Sequence, residues 1–168
     1  MTLRIILTGG TFDKHYDPLA GELTFAKTHL TEIVTRCRLT VEVEVETVVM
    51  LDSLEMLPEH RERVLASCLN AAETSLVVIH GTDTMEETAA VLGPGLANSP
   101  KRVVLTGAMV PYEVRGSDAL FNFGFALAAA QLSGPGVYVA MNGRLFDWRS
   151  VKKNRAHGIF EVQSQGDA

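Results

Sequence analysis

Three short segments bring together residue types suited to nucleophilic catalysis by a hydroxyl. In Gly9-Gly10-Thr11 the two glycines let the backbone turn sharply and approach a ligand, leaving a hydroxyl at the turn. In Thr82-Asp83-Thr84, followed by Glu86-Glu87, a carboxylate stands between two hydroxyls where a strand passes into a helix. An aspartate beside a hydroxyl can hold an ammonium group while a neighbouring oxygen is activated. Lys152-Lys153, flanked by Arg149 and Arg155, offers an amine that could take a hydroxyl proton if it pointed inward among cationic neighbours. Each segment also has a plainer account. Glycines punctuate ordinary loops, Asp and Thr cap helices, and lysines usually form a solvated patch. Spacing alone leaves both accounts open.

Other chemistries find no support. There is no Gly-x-x-x-x-Gly-Lys-Ser/Thr phosphate loop, and Gly93-Pro94-Gly95 lacks the third glycine and strand context of a dinucleotide site. No Gly-x-Ser-x-Gly elbow occurs. Histidines 15, 29, 60, 80 and 157 are scattered and never paired at i, i+4, so no metal is expected. Cys37 and Cys68 fall in helix-like segments and form no redox or metal motif.

Short apolar runs alternate with amphipathic stretches along the chain, the pattern of an α/β domain with a mainly parallel sheet. Leu3–Leu7 reads as a strand ending at Thr8-Gly9-Gly10-Thr11, and 13–24, with Pro18 and Gly21, as a loop or loose hairpin. A helix is expected over 25–38, with Leu30, Ile33, Val34 and Cys37 on one side. The Val-Glu alternation of 41–46, continuing to Leu51, predicts a strand near a sheet edge. Helices follow over 58–73, with Pro58 in the first turn, over 85–92, capped by Asp83 or Thr84 and stopped by Gly93-Pro94-Gly95, and over 119–132, capped by Ser117 or Asp118. Buried strands are expected at 76–79, 103–105 and 137–141, the last followed by the turn Asn142-Gly143. Three strands thus end in Gly or hydroxyl clusters: Thr8–Thr11, His80–Thr84 and Thr106–Ala108. In open parallel sheets ligands bind beyond the carboxyl ends of strands, so these clusters should converge on one pocket.

The 168 residues predict one domain over 1–162 with a polar, frayed tail over 163–168. A chain of this length buries roughly 70% of its unfolded surface and needs no metal or disulfide staple. The net charge of −5 argues against nucleic acid, and no apolar run reaches the roughly 20 residues that span a bilayer. The start, Met1-Thr2-Leu3-Arg4, does not read as a secretory signal. A cytoplasmic protein without membrane attachment is the expectation.

Taken in order, the motifs resemble the bacterial-type L-asparaginase/glutaminase family. The matching residues are Ile6–Thr11, His80–Thr88, Leu105–Met109, Ser117-Asp118 with Phe121-Asn122, Met141-Asn142-Gly143 and 149–153. The resemblance implies a three-layer, flavodoxin- or Rossmann-like N-terminal domain, its mainly parallel sheet covered by helices on both faces. It also implies amide hydrolysis through a threonine acyl-enzyme, without metal or cofactor. By that resemblance Thr11 is the nucleophile, beside Gly10, and Tyr16 orients it from a flexible loop. Ser53, in Asp52-Ser53-Leu54-Glu55-Met56, takes the substrate carboxylate. Asp83 holds the α-ammonium, Lys153 assists Thr82, and the Ala108 backbone lines the amide site.

Two features depart from the pattern. Leu54 stands where many relatives carry a polar residue, and the chain has about half the family's usual length. The implied second domain, which lends an acidic residue to a neighbouring subunit's pocket, is not among these residues. The leading expectation is a minimal L-asparaginase, weaker on glutamine and forming a homo-oligomer. The alternatives are an idle amino-acid-binding or partner-subunit domain and a hydrolase of another small amide or a D-amino acid.

Overall fold

A computed structural model describes residues 1–163 of the chain. Its centre is a six-stranded sheet in the order β4-β1-β5-β6-β7-β8, formed by β1 (Thr2–Gly9), β4 (Glu42–Leu51), β5 (Ser75–Ile79), β6 (Arg102–Thr106), β7 (Gly136–Met141) and β8 (Arg144–Asp147). The first five strands are parallel. Numbered among themselves they run 2-1-3-4-5, the flavodoxin-type doubly wound order. The chain leaves β1 toward β4 and returns on the other side to β5, so β1 and β5 flank the switch point.

The parallel strands are aliphatic and buried because both faces are covered. On one face, Ile6, Val78, Leu105 and Val139 pack with Val64 and Cys68 of α2 (Pro58–Asn70) and Ala89 and Leu92 of α3 (Met85–Gly95). On the other, Leu3, Ile5, Leu7, Val77 and Val104 meet Leu30 and Ile33 of α1 (Leu30–Arg36) and Phe123, Ala126 and Leu127 of α4 (Ala119–Leu132). The Val-Glu alternation sits on β4, an edge strand, as its half-polar pattern requires.

Four local expectations change. First, residues 25–29 are not helical. Phe25 ends the β2–β3 hairpin (Lys14–Asp17, Glu22–Phe25), and the Asp13 carboxylate accepts from the Thr28 hydroxyl and the His29 N–H, holding the chain open until Leu30. Second, α2 stops at Asn70, where Ala71 turns extended. Third, α3 runs on through Pro94 to Gly95. A proline near the end forfeits one bond, and the Leu96 N–H still reaches the Leu92 carbonyl. Gly93 is needed there because a Cβ would collide with the Trp148 ring. Fourth, Thr84 and Asp118 occupy the N-cap positions of α3 and α4 as expected, but neither side chain makes the capping hydrogen bond. Ser117 Oγ does accept from the Ala119 N–H at the start of α4.

Beyond Asn142-Gly143, whose positive φ angles (55° and 72°) form a tight hairpin turn, lies the antiparallel strand β8. It is followed by a second hairpin, β9 (Val151–Asn154) with β10 (Ile159–Val162). In the expected polar tail, the Gln163 N–H donates to the Ser150 carbonyl, and residues 164–168 lie outside the described part of the chain.

Candidate active site

Four neighbouring strands, β4, β1, β5 and β6, end on the same side of the sheet, and each delivers an expected residue. These are Ser53 after β4, Gly10 and Thr11 after β1, Thr82 and Asp83 after β5, and Ala108 after β6. The loops touch. A Cβ on Gly10 would overlap the Gly81 backbone, and one on Gly81 would lie 2.6 Å from Ser53 Cβ and Oγ. Gly10, held at φ 75° by its N–H bond to the Leu51 carbonyl (2.9 Å), is the point where the β1 and β5 turns meet. Likewise, a Cβ on Gly107 would overlap the His80 carbonyl and stand 3.4 Å from Thr82 Cγ2.

Lys153 arrives from β9, outside the main sheet. Its side chain is only 7% exposed. The Nζ lies 2.8 Å from Thr82 Oγ1 and 2.8 Å from Asp83 Oδ1. Lys152, its neighbour on the strand, faces solvent, so the period-two alternation of β9 separates an inward lysine from an outward one. Two residues to which the sequence assigned no role in the site hold this arrangement. Glu86 accepts the Lys153 N–H (2.7 Å), and Arg155 donates to the Asp83 carbonyl (2.9 Å). Both carried a sequence signal, Glu86 as part of the acidic start of α3 and Arg155 as part of the basic cluster.

The uncapped start of α3 has a cause in the site. Thr84 Oγ1 donates to the Ser53 carbonyl at 2.8 Å instead of serving the helix. Ser53 is 1% exposed, yet its hydroxyl has no partner among the described residues. Beside it, Asp52 accepts from Lys14 Nζ at 2.6 Å. Burial works against the Asp52 charge, but the Lys14 hydrogen bond, the Leu54 N–H and the charges of Lys14 and Lys153 hold its carboxyl below the usual range.

Support continues behind these loops. His80 is fully buried, bridging the Gly81 carbonyl through Nδ1 and Thr88 Oγ1 through Nε2 (2.7 Å each). A carbonyl only accepts, so Nδ1 carries the proton and Nε2 accepts from Thr88. Asn122 of α4 donates to the Gly107 carbonyl and to Asp118, whose carboxylate accepts from the Met109 and Val110 N–H groups. Asp118 thus fixes the loop containing Ala108 rather than capping α4.

Two expected residues stand apart. Thr11 opens a short 3-10 turn (Thr11–Asp13), half-buried, and its hydroxyl makes no hydrogen bond among the described residues. Tyr16 lies on β2, 54% exposed, opposite Leu23 in the hairpin and without a hydrogen bond to Thr11.

A family profile described as "Asparaginase, N-terminal" matches residues 2–167. The chain belongs to the asparaginase family. An L-asparaginase from Thermococcus kodakarensis is 29% identical over 167 residues, spanning 98% of this chain and 51% of the relative. A glutamyl-tRNA(Gln) amidotransferase subunit from Pyrococcus furiosus is 32% identical over 151 residues, 87% of this chain and 34% of that protein. The solved structure of the thermostable L-asparaginase from Thermococcus kodakarensis superposes with a TM-score of 0.85 at 27% identity, covering all of this chain and 55% of that one. The chain therefore spans about half the length of these asparaginases, and it corresponds to the family's N-terminal domain, a three-layer α/β fold.

Proposed function

We propose that this asparaginase-family chain hydrolyses L-asparagine to L-aspartate and ammonia through a threonine acyl-enzyme, without metal or cofactor. The observation that carries the reading is the buried Lys153 ammonium group, 2.8 Å from both Thr82 Oγ1 and Asp83 Oδ1. A hydroxyl is a weak nucleophile until a partner can move its proton, and a hydrogen-bonded Thr–Lys pair provides that route. Asp83, already in contact with one ammonium, suits the substrate α-ammonium. The unpartnered Ser53 hydroxyl suits the α-carboxylate, and the Ala108 backbone lines the amide.

In the first half-reaction the Thr11 oxygen bonds to the amide carbon, the Thr11 proton ends on the departing nitrogen, and ammonia leaves. Thr82 and Lys153 form the relay for that proton. In the second half-reaction water adds to the ester, a proton returns to Thr11, and aspartate is released. Tyr16 orients Thr11 after movement of the β2–β3 hairpin on which it stands. The Thr11 and Thr82 backbone N–H groups donate to no protein acceptor among the described residues, which suits them to the developing oxyanion. Free Cys37 and Cys68 fit a reducing cytoplasm. Among the described residues no helix is long and apolar enough to cross a membrane.

The test is ammonia release by the purified chain. Asparagine should be turned over by wild type and not by Thr11→Val. Glutamine, one methylene longer, should be poorer by about 10–200-fold. Wild-type protein that binds asparagine in calorimetry but releases no ammonia would replace this reading with that of a partner subunit, which the match to an amidotransferase component favours.

A further inference from the structure

We propose that His15, His29 and Glu113 form a binding site for a divalent transition-metal ion of the zinc class, separate from the Thr82–Asp83–Lys153 cluster. The three residues come from three segments: β2, the N-cap position of α1, and the loop between β6 and α4. One donor atom from each lies within 4.8 Å of the others. His15 Nδ1 is 3.0 Å and His29 Nε2 3.7 Å from the same Glu113 oxygen, Oε2. Donors held about 2.0–2.1 Å from a tetrahedral zinc lie about 3.3–3.4 Å from one another, a spacing these two distances bracket. Two imidazoles with one carboxylate are a borderline-soft donor set suited to zinc and unsuited to calcium or magnesium, which take oxygen ligands.

Two further observations point to a ligand. His15 Nε2 lies 2.6 Å from the Lys27 carbonyl, which can only accept, so the ring proton sits on Nε2. A backbone carbonyl on the far nitrogen is the outer support that directs the near one, Nδ1, toward a metal. That Nδ1 stands 3.0 Å from a carboxylate oxygen, a contact made through a cation between them, a proton or a metal ion. Second, the His29 side chain is only 10% exposed, and its Nε2 is buried with no hydrogen-bond partner among the described residues. The neighbouring Asp13 carboxylate, bonded to the His29 N–H through Oδ1, adds negative charge from a buried position.

A bound ion would join the β2–β3 hairpin to the loop carrying Tyr112. The Tyr112 N–H already donates to the carbonyl of Phe12, next to Thr11. The ion would therefore favour this position of the hairpin over one in which Tyr16 reaches Thr11, and no chemical step on the substrate passes through it.

The experiment is a titration of the chelator-treated full chain with zinc chloride, followed by calorimetry and thermal unfolding, and repeated with cobalt(II) for its visible ligand-field bands. The expected result is one ion per chain, a Tm that rises with zinc concentration, and affinity lowered about tenfold or more in His29→Gln and Glu113→Gln. His60→Gln, on α2 across the sheet, should bind as wild type does. Because Glu113 is exposed, Glu113→Gln tests the site even if the buried His29 variant fails to fold. Absence of saturable zinc binding by wild type, or unchanged affinity in Glu113→Gln, overturns the site. None of these readouts depends on amide hydrolysis.

Discussion

Burial pushes the His80 imidazole down to about 4; its hydrogen bond to the Gly81 carbonyl opposes the shift and the charge of Arg61 adds to it. In the unfolded chain the ring titrates near 6.5. Between those values the unfolded state holds the extra proton, so stability rises with pH there and is lost as pH falls from 6.5 toward 4. His80 alone should remove up to about 3 kcal/mol over that interval, read from urea midpoints across the range, and His80→Gln should flatten the slope. The cysteines differ for a related reason. Burial raises the Cys68 thiol to about 12, whereas Cys37 is exposed. A thiol reagent at neutral pH should therefore label one cysteine per native chain and two after denaturation, counted by mass spectrometry. At this scale the sequence supplied the identity of Thr82, Asp83 and Lys153. It did not reveal that Lys153 turns inward while Lys152 turns out, because which face of β9 is buried depends on what packs against it.

Elements were legible where hydrophobic pattern and turn chemistry agreed. The parallel strands and α4 fall where their aliphatic runs put them, and Asn142-Gly143 makes the turn it advertises. The strand that this turn feeds, Arg144–Asp147, went unread because its sequence, Arg-Leu-Phe-Asp, has no clean alternation and its pairing with β7 is a tertiary matter. The failed start of α1 has a similar origin. Asp13, fifteen and sixteen residues earlier, captures Thr28 and His29, and helix propensity has no view of that contact. The most constrained connection is the β1 turn. Gly10→Ala would place a methyl against the Gly81 backbone at a positive φ, separating the β1 and β5 turns. We expect a loss of about 2 kcal/mol or more in urea unfolding and of most ammonia release. Gly21→Ala, with open space around its Cβ, should retain activity despite its strained φ.

Across the whole molecule, α4 is apolar on both sides. Its inner face fills the core, while Phe121, Gly124, Ala128 and Leu132 line the outer face at helical spacing, with Phe121 and Leu132 63% and 86% exposed. A face of this kind on a charged protein favours self-association. Light scattering of the purified chain at micromolar concentration should give at least a dimer's mass, and a monomer would refute the expectation of a homo-oligomer. The sequence by itself determined the layer order's ingredients, the strand-end clusters and the family, because period, punctuation and ordered motifs are properties of the linear chain. Only the tertiary structure decided that Ser53, Gly10, Thr82 and Ala108 end on four adjacent strands, that Lys153 joins them, and that His15 and His29 meet at Glu113. The reason is the crossover that carries the chain from β1 out to β4 and back to β5. It makes neighbours of residues dozens of positions apart, and no local pattern records the distance it closes.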